Sequence, residues 1–181
     1  DIPDSATLAM RSGRIDKIEK DPTGVVVWIA GHAHHIGKDR VGMGLQEELP
    51  HAREQRGYIP WKPPVVGSHF EAGDVLTDPN RTVINPHHLY KATGSIERVQ
   101  NFLTKELHGA YSSEGIRRQH VELAVKAMSN LTKVRDPGDS EDIIKGEFHP
   151  TSVIKALNTQ LVKDGKQPVI HTPVIAGVDM M

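Results

Sequence analysis

The chain has 181 residues, 37% hydrophobic and 25% charged, which supports one substantial core or two small lobes. Its formal charge of −1 excludes a protein that grips nucleic acid unaided through many phosphates, so any DNA contact should be local or shared with other subunits. With no cysteine, disulfides and thiolate zinc sites are excluded and a reducing cytoplasm is expected. No apolar run reaches the roughly eighteen residues of a membrane span. The opening DIPDSATLAM lacks the basic-then-apolar order of a signal peptide. It also lacks a Met at position 1, so a processed product or excised fragment is expected.

In chain order, Thr7–Met10, Arg14–Lys20 and Gly24–Ala30 read as strands, the last carrying the β-branched and aromatic run Val25, Val26, Val27, Trp28, Ile29. Asp21, Pro22, Thr23 and Gly24 supply a turn between the second and third. From Gly31 to Pro64 there is no clear period. Val65–Thr77 then places Gly67 and Gly73 at corners flanking apolar residues, a spacing that suits a small β sandwich.

The remainder reads as helical. Asn85 caps a helix with Pro86 at its first position, stopped by Gly94. Ser95 caps a longer one whose residues Ile96, Val99, Leu103, Leu107 and Tyr111 form a stripe expected to be buried, with Gly115 as its end. Ile116–Asn130 predicts another, with Val121, Ala124, Val125 and Met128 on one face. Thr132–Arg135 is a short strand and Asp136–Asp139 a turn. Pro150 opens a final helix to Lys163, broken by Asp164 and Gly165, and Val169–Ala176 is extended. The class expected is α+β: a small sandwich-like β part, 1–80, followed by a helical part with short strands, 81–181.

Few constellations carry chemistry. His32, His34 and His35 in GHAHH are imidazoles that bind zinc, copper or nickel in other settings. No carboxylate stands at helical spacing from them and no HExxH occurs, so they read as a solvated loop. His87 and His88 sit in the first turn of a capped helix, one facing the core and the other water. Gly42, Met43, Gly44 lacks the third glycine and the preceding strand of a dinucleotide fingerprint. No GxSxG elbow is present. The acidic pairs Glu47–Glu48 and Glu141–Asp142 read as solvated surface. Asp74, Asp78 and Asp136 are scattered, whereas a two-metal centre gathers its carboxylates. No catalytic residue and no metal ligand is therefore assigned. Arg117, Arg118, Lys126, Lys133 and Arg135 are the candidates for meeting backbone phosphates. A solvated charged face accounts for them equally well, since Glu114 and Glu122 lie among them.

Several segments resemble the β′ subunit of multisubunit, bacterial-type DNA-directed RNA polymerase. GDVLTD (Gly73–Asp78) and INPHHL (Ile84–Leu89) are similar to the family's GDVLT and NPHDLL. FLTKELHGAY (Phe102–Tyr111), Glu114–Gly115 and HVELAVKAM (His120–Met128) resemble its helix ending in QG and its KHiEviVRQM. KGEFHPTSVIKALN (Lys145–Asn158) and TPVIAGV (Thr172–Val178) follow in the family's order, and SATLAMRSGRI (Ser5–Ile15) resembles the strand leading to its jaw. The similarity spans nearly the whole chain, more strongly after Gly67. Lys126 replaces the family's arginine, Glu114–Gly115 replaces QG, and the stretch between Gly115 and His120 is about two residues shorter. Gly177–Met181 stands where the family has GITKASL, so that lysine's DNA contact has no counterpart here.

The resemblance implies a piece of β′ lying after the trigger loop: a jaw-like part, 1–80, and a helical part leading towards the clamp, 81–181. It would wall the downstream DNA channel. Its implied partners are the rest of β′, the β subunit and downstream DNA, with no membrane. Mg²⁺ would be bound elsewhere in the assembled polymerase, with no cofactor in this chain. The divergence suggests a split β′ of a large bacteriophage, placed in host cytoplasm or nucleoid, or a cellular enzyme. Two other classes remain open: a free-standing protein-interaction module, and a metal-dependent hydrolase using GHAHH.

Overall fold

The computed structural model describes residues 5–38, 59 and 61–175. The long aperiodic segment's core, Gly42–Gly44, Glu47–Glu48 and the Ala176–Met181 end lie outside the described residues. The chain divides into two compact units, Asp1–Val99 and Gln100–Met181. The expected α+β class is the one observed.

The first unit is built on a curled antiparallel sheet. Its strands are β1 (Gly13–Asp21), β2 (Gly24–Ile29), β3 (His32–Gly37) and β4 (His69–Phe70), in the order β3-β2-β1-β4. Asp21 makes the first turn: its Oδ1 accepts from the Thr23 amide and hydroxyl, both at 2.6 Å, and from the Gly24 amide at 2.8 Å. Gly24 pairs with Gly37, and a Cβ built on Gly24 would stand 2.0 Å from the Ile36 carbonyl oxygen. Only a glycine lets these backbones come so close. The second turn is two residues long, Ala30 (φ 47°) and Gly31 (φ 72°), the paired left-handed conformation that matches strand twist.

That tight turn overturns the loop reading of GHAHH. Residues 32–37 continue the sheet as β3, with His34 and Ile36 buried and Ala33 and His35 exposed. The period-2 pattern was hidden because imidazole counts as polar in a hydropathy pattern, yet here one fills a core position.

Ala9, Ile15, Val25, Val27, Ile29, Ile36 and Leu76 form the core of this unit. Thr7–Met10, expected as a strand, is instead part of a segment, 5–10, held by scattered backbone bonds. The Ala6 amide donates to Val83 O (2.7 Å), Ala9 N to Asp74 O (2.8 Å), Leu76 N to Thr7 O (2.9 Å) and Gly73 N to Ala9 O (2.7 Å). Helix α1 (Pro86–Thr93) begins as expected, with Asn85 Oδ1 accepting from the His87 amide at 2.9 Å and Gly94 closing it.

Helix α2 (Ile96–Tyr111) contains the division between the units. Ser95 Oγ accepts from the Arg98 amide at 3.3 Å, the cap its sequence predicts. The stripe expected to be buried is only partly so: Val99 is fully buried, Leu103 and Leu107 half-buried and Tyr111 exposed. Periodicity fixes which side of a helix is apolar, not whether that side is covered.

In the second unit, α3 (Arg118–Ser129) buries Val121, Val125 and Ser129, while Ala124 is exposed. Gln100 Nε2 on α2 donates to Ser129 Oγ at 2.7 Å. Three strands, β5 (Leu131–Asp136), β6 (Phe148–Pro150) and β7 (Ile170–Val174), form a sheet in the order β6-β5-β7. Helix α4 (Thr151–Lys163) contributes Ile154, Leu157 and Leu161 to a core with Val134, Ile143 and Val169. Asn158 ties that helix to the chain before β7 through paired bonds with Val169, at 2.7 and 2.9 Å.

Candidate nucleic-acid interface

The five basic candidates lie in the second unit, on α3 and on β5. Arg117 is the N-cap residue of α3 and makes no side-chain cap; Arg118 opens the helix. Both are exposed. Cations at a helix N-terminus oppose the helix dipole, so the fold gains nothing from two guanidinium groups there. Arg118 Nε donates to Glu122 Oε1 at 3.0 Å, one turn along, in an exposed pair of small energetic weight. Arg117, Arg118, Gln119 and Glu122 line an open depression. Lys126 is exposed two turns beyond Arg118.

Strand alternation separates the residues of β5. Thr132 and Val134 are buried, and Val134 belongs to the core shared with α4. Lys133 and Arg135 occupy the opposite face. Lys133 pairs in register with Phe148 on one side and Thr172 on the other. Its ammonium sits 5.4 Å from the Phe148 ring centroid, and that ring is 52% exposed, so the aromatic face is open beside a cation. Arg135 stands where the β5–β7 register shifts, and its Nε donates to Thr172 Oγ1 at 3.1 Å. Phe148 and Thr172 were not singled out from the sequence. Their place beside Lys133 follows from strand register, which composition does not reveal.

The scattered carboxylates serve turns. Asp74 Oδ2 accepts from the Glu71 amide (2.8 Å), Asp78 Oδ1 from the Asn80 amide (2.9 Å) and Asp136 Oδ1 from the Gly138 amide (2.9 Å). Glu141 and Asp142 are exposed. Among the described residues, no group of three or more His, Asp or Glu side chains is arranged to hold a metal ion.

Alternation also splits the histidine cluster. His35 points away from His34, with Nε2 2.9 Å from Thr23 Oγ1 and 3.4 Å from Asp21 Oδ2. His34 is buried with both ring nitrogens engaged, and His32 packs edge-on against it at 4.9 Å. His87 and His88 are both half-buried, in place of the expected division between core and water.

No helix among the described residues is long and apolar enough to cross a membrane. No family model matches the chain. The β′ subunits of DNA-directed RNA polymerase from Thermus thermophilus and Thermus aquaticus are each 36% identical to it over 114 residues, covering 62% of this chain and 7% of theirs. That from Elusimicrobium minutum is 26% identical over 178 residues, 97% of this chain and 12% of the subunit. The chain thus spans between 7% and 12% of the length of these relatives. Its homologues are bacterial RNA polymerase β′ subunits, matching 62–97% of its length at 26–36% identity.

Proposed function

We propose that this chain is a structural piece of the β′ subunit of a DNA-directed RNA polymerase, forming a jaw-like part and the region leading towards the clamp. The observation that carries the reading is the similarity to β′ subunits, which in one relative runs along 97% of the chain. The chemistry of several described residues agrees with a supporting role, because Asp74, Asp78 and Asp136 serve turns and His34 fills a core position. Phosphoryl transfer, with its Mg²⁺, would belong to other parts of the assembled enzyme. The partners proposed are the rest of β′, the β subunit and the downstream duplex. The proposed source is either a large bacteriophage, with the chain working in the host cytoplasm or nucleoid, or a cell.

Arg117, Arg118, Lys126, Lys133 and Arg135 are proposed to meet phosphates of that duplex. Supporting this are the exposure of Arg117, Arg118 and Lys126 and the position of the two arginines at a helix start whose free amides also favour an anion. Such contacts position DNA without reading its sequence. The test is a stalled elongation complex carrying a photoreactive group in the downstream duplex. Crosslinks to residues 117–135 are expected. Replacing Arg117, Arg118 and Lys126 with alanine should lower the salt slope of duplex binding by about one unit for each phosphate left without its cation. An unchanged slope with no crosslinks would remove these five residues from the interface.

A further inference from the structure

The first unit carries a device that its proposed function does not use. Segment 5–10 runs as a strap within the first unit, and four of its own residues, Ser5, Ala6, Leu8 and Ala9, are buried. Histidines touch both ends. At one end the Met10 amide donates to His34 Nε2 at 2.9 Å. An amide can only donate, so that nitrogen must carry a lone pair. The ring proton then sits on Nδ1, which donates to the Val27 carbonyl at 3.2 Å. His34 is therefore held neutral, in one tautomer, with both nitrogens satisfied. At the other end Ser5 Oγ lies 3.3 Å from His88 Nδ1.

We propose that segment 5–10 is a strap whose Met10 end is fastened by neutral His34 and released by acid. The Ser5 contact with His88 persists, because a hydroxyl can accept as well as donate. Protonation puts a hydrogen on His34 Nε2, so the Met10 amide loses its acceptor and faces another donor. The bonds from Ala9 to Asp74 and Gly73 and from Thr7 to Leu76 lie along the same strap. Its release would loosen the 73–76 loop and uncover Leu8, Ala9 and Leu76.

Burial pushes the His34 imidazole below the ordinary histidine range. Its bond to Val27 O acts the other way, and the neighbouring His32 adds to the lowering. Burial does the same to His88, with Lys91 and His87 adding to it. The titratable group facing His34 is His32 on its own strand; Arg11, which follows Met10 on the strap, turns its Nη1 to Ala30 O at 3.3 Å. Across the sheet its partner is the apolar Val27. Because the folded pKa lies below the unfolded one, the unfolded strap binds more protons. Its stability is present above the unfolded value, about 6.5, and is lost as pH falls towards the lowered folded value. Asp21 and Glu71 are held below the usual carboxylate range, Asp21 by Thr23 and Glu71 by His69, so these two titrate in a more acidic window.

Histidine ring titration and amide hydrogen exchange on this chain, followed by NMR from pH 8 to 4.5, test the device. His34 should titrate below the ordinary histidine value. The protection factor of the Met10 amide should fall about tenfold per pH unit between about 6.5 and that midpoint and level off below it, as one linked proton requires. In His34→Gln the side-chain oxygen can still accept from Met10 without titrating, so the decline should vanish; His88→Gln should leave the Met10 decline as in the wild type. Should His34→Gln fail to fold, the wild-type coincidence between the end of the Met10 decline and the His34 midpoint still decides. Met10 protection that stays level from about pH 6.5 down to the His34 midpoint would overturn the proposal. So would a folded His34→Gln variant that keeps the wild-type decline.

Discussion

Gly24 shows how a single residue sets the first sheet. The two-residue turn before it and the close approach of β3 behind it leave no room for a side chain. Gly24→Ala is expected to cost about 1–3 kcal/mol, because the clash is with a backbone carbonyl that must move as a whole. Urea denaturation would check this, and a midpoint equal to wild type would show that the hairpin opens at little cost. At this scale the sequence was partly legible. Asp21 and Gly24 were readable as a turn from residue type alone, and Asn85 with Pro86 as a helix start. His34 was not, because nothing local distinguishes a core imidazole from a solvated one. The distinction lies in Met10, twenty-four positions earlier, and in Val27 across the sheet.

The helices differ in how far their apolar sides are covered. On α4 the spacing Ile154, Leu157, Leu161 meets Val134, Ile143 and Val169, and Ile154 is fully buried. Ile154→Ala should therefore cost about 2–5 kcal/mol. Leu107 on α2 is half-buried, so Leu107→Ala should fall below that range in this chain by itself. Thermal unfolding of the two variants side by side is the check; equal losses would mean that Leu107 is as enclosed as Ile154. The elements after Asn85 were legible because caps, breaks and a 3.6-residue period coincide there. Strand β3 and the irregular strap were less so. Polar residues disguised the alternation of the first, and the second satisfies its backbone without forming a continuous ladder.

For the whole molecule, exposed apolar side chains bear on what surrounds the chain. Leu123 is 67% exposed and Val162 61%, and the chain spans at most 12% of the length of the relatives compared. Scattered apolar exposure is ordinary in a monomer, so these side chains do not by themselves require partners. The candidate interface was legible as a set of cations but not as a place. Arg117 and Arg118 were adjacent in sequence, whereas the Lys133–Phe148–Thr172 row exists only through pairing of three distant strands. The most direct measurement is purification through a tag on this chain from the cells that make it, followed by identification of the accompanying polypeptides and an assay of RNA extension on a DNA template. The account predicts co-purification with β and the remaining parts of β′, and template-dependent RNA synthesis by the complex. A chain recovered free of every polymerase polypeptide, with no such synthesis, would contradict it.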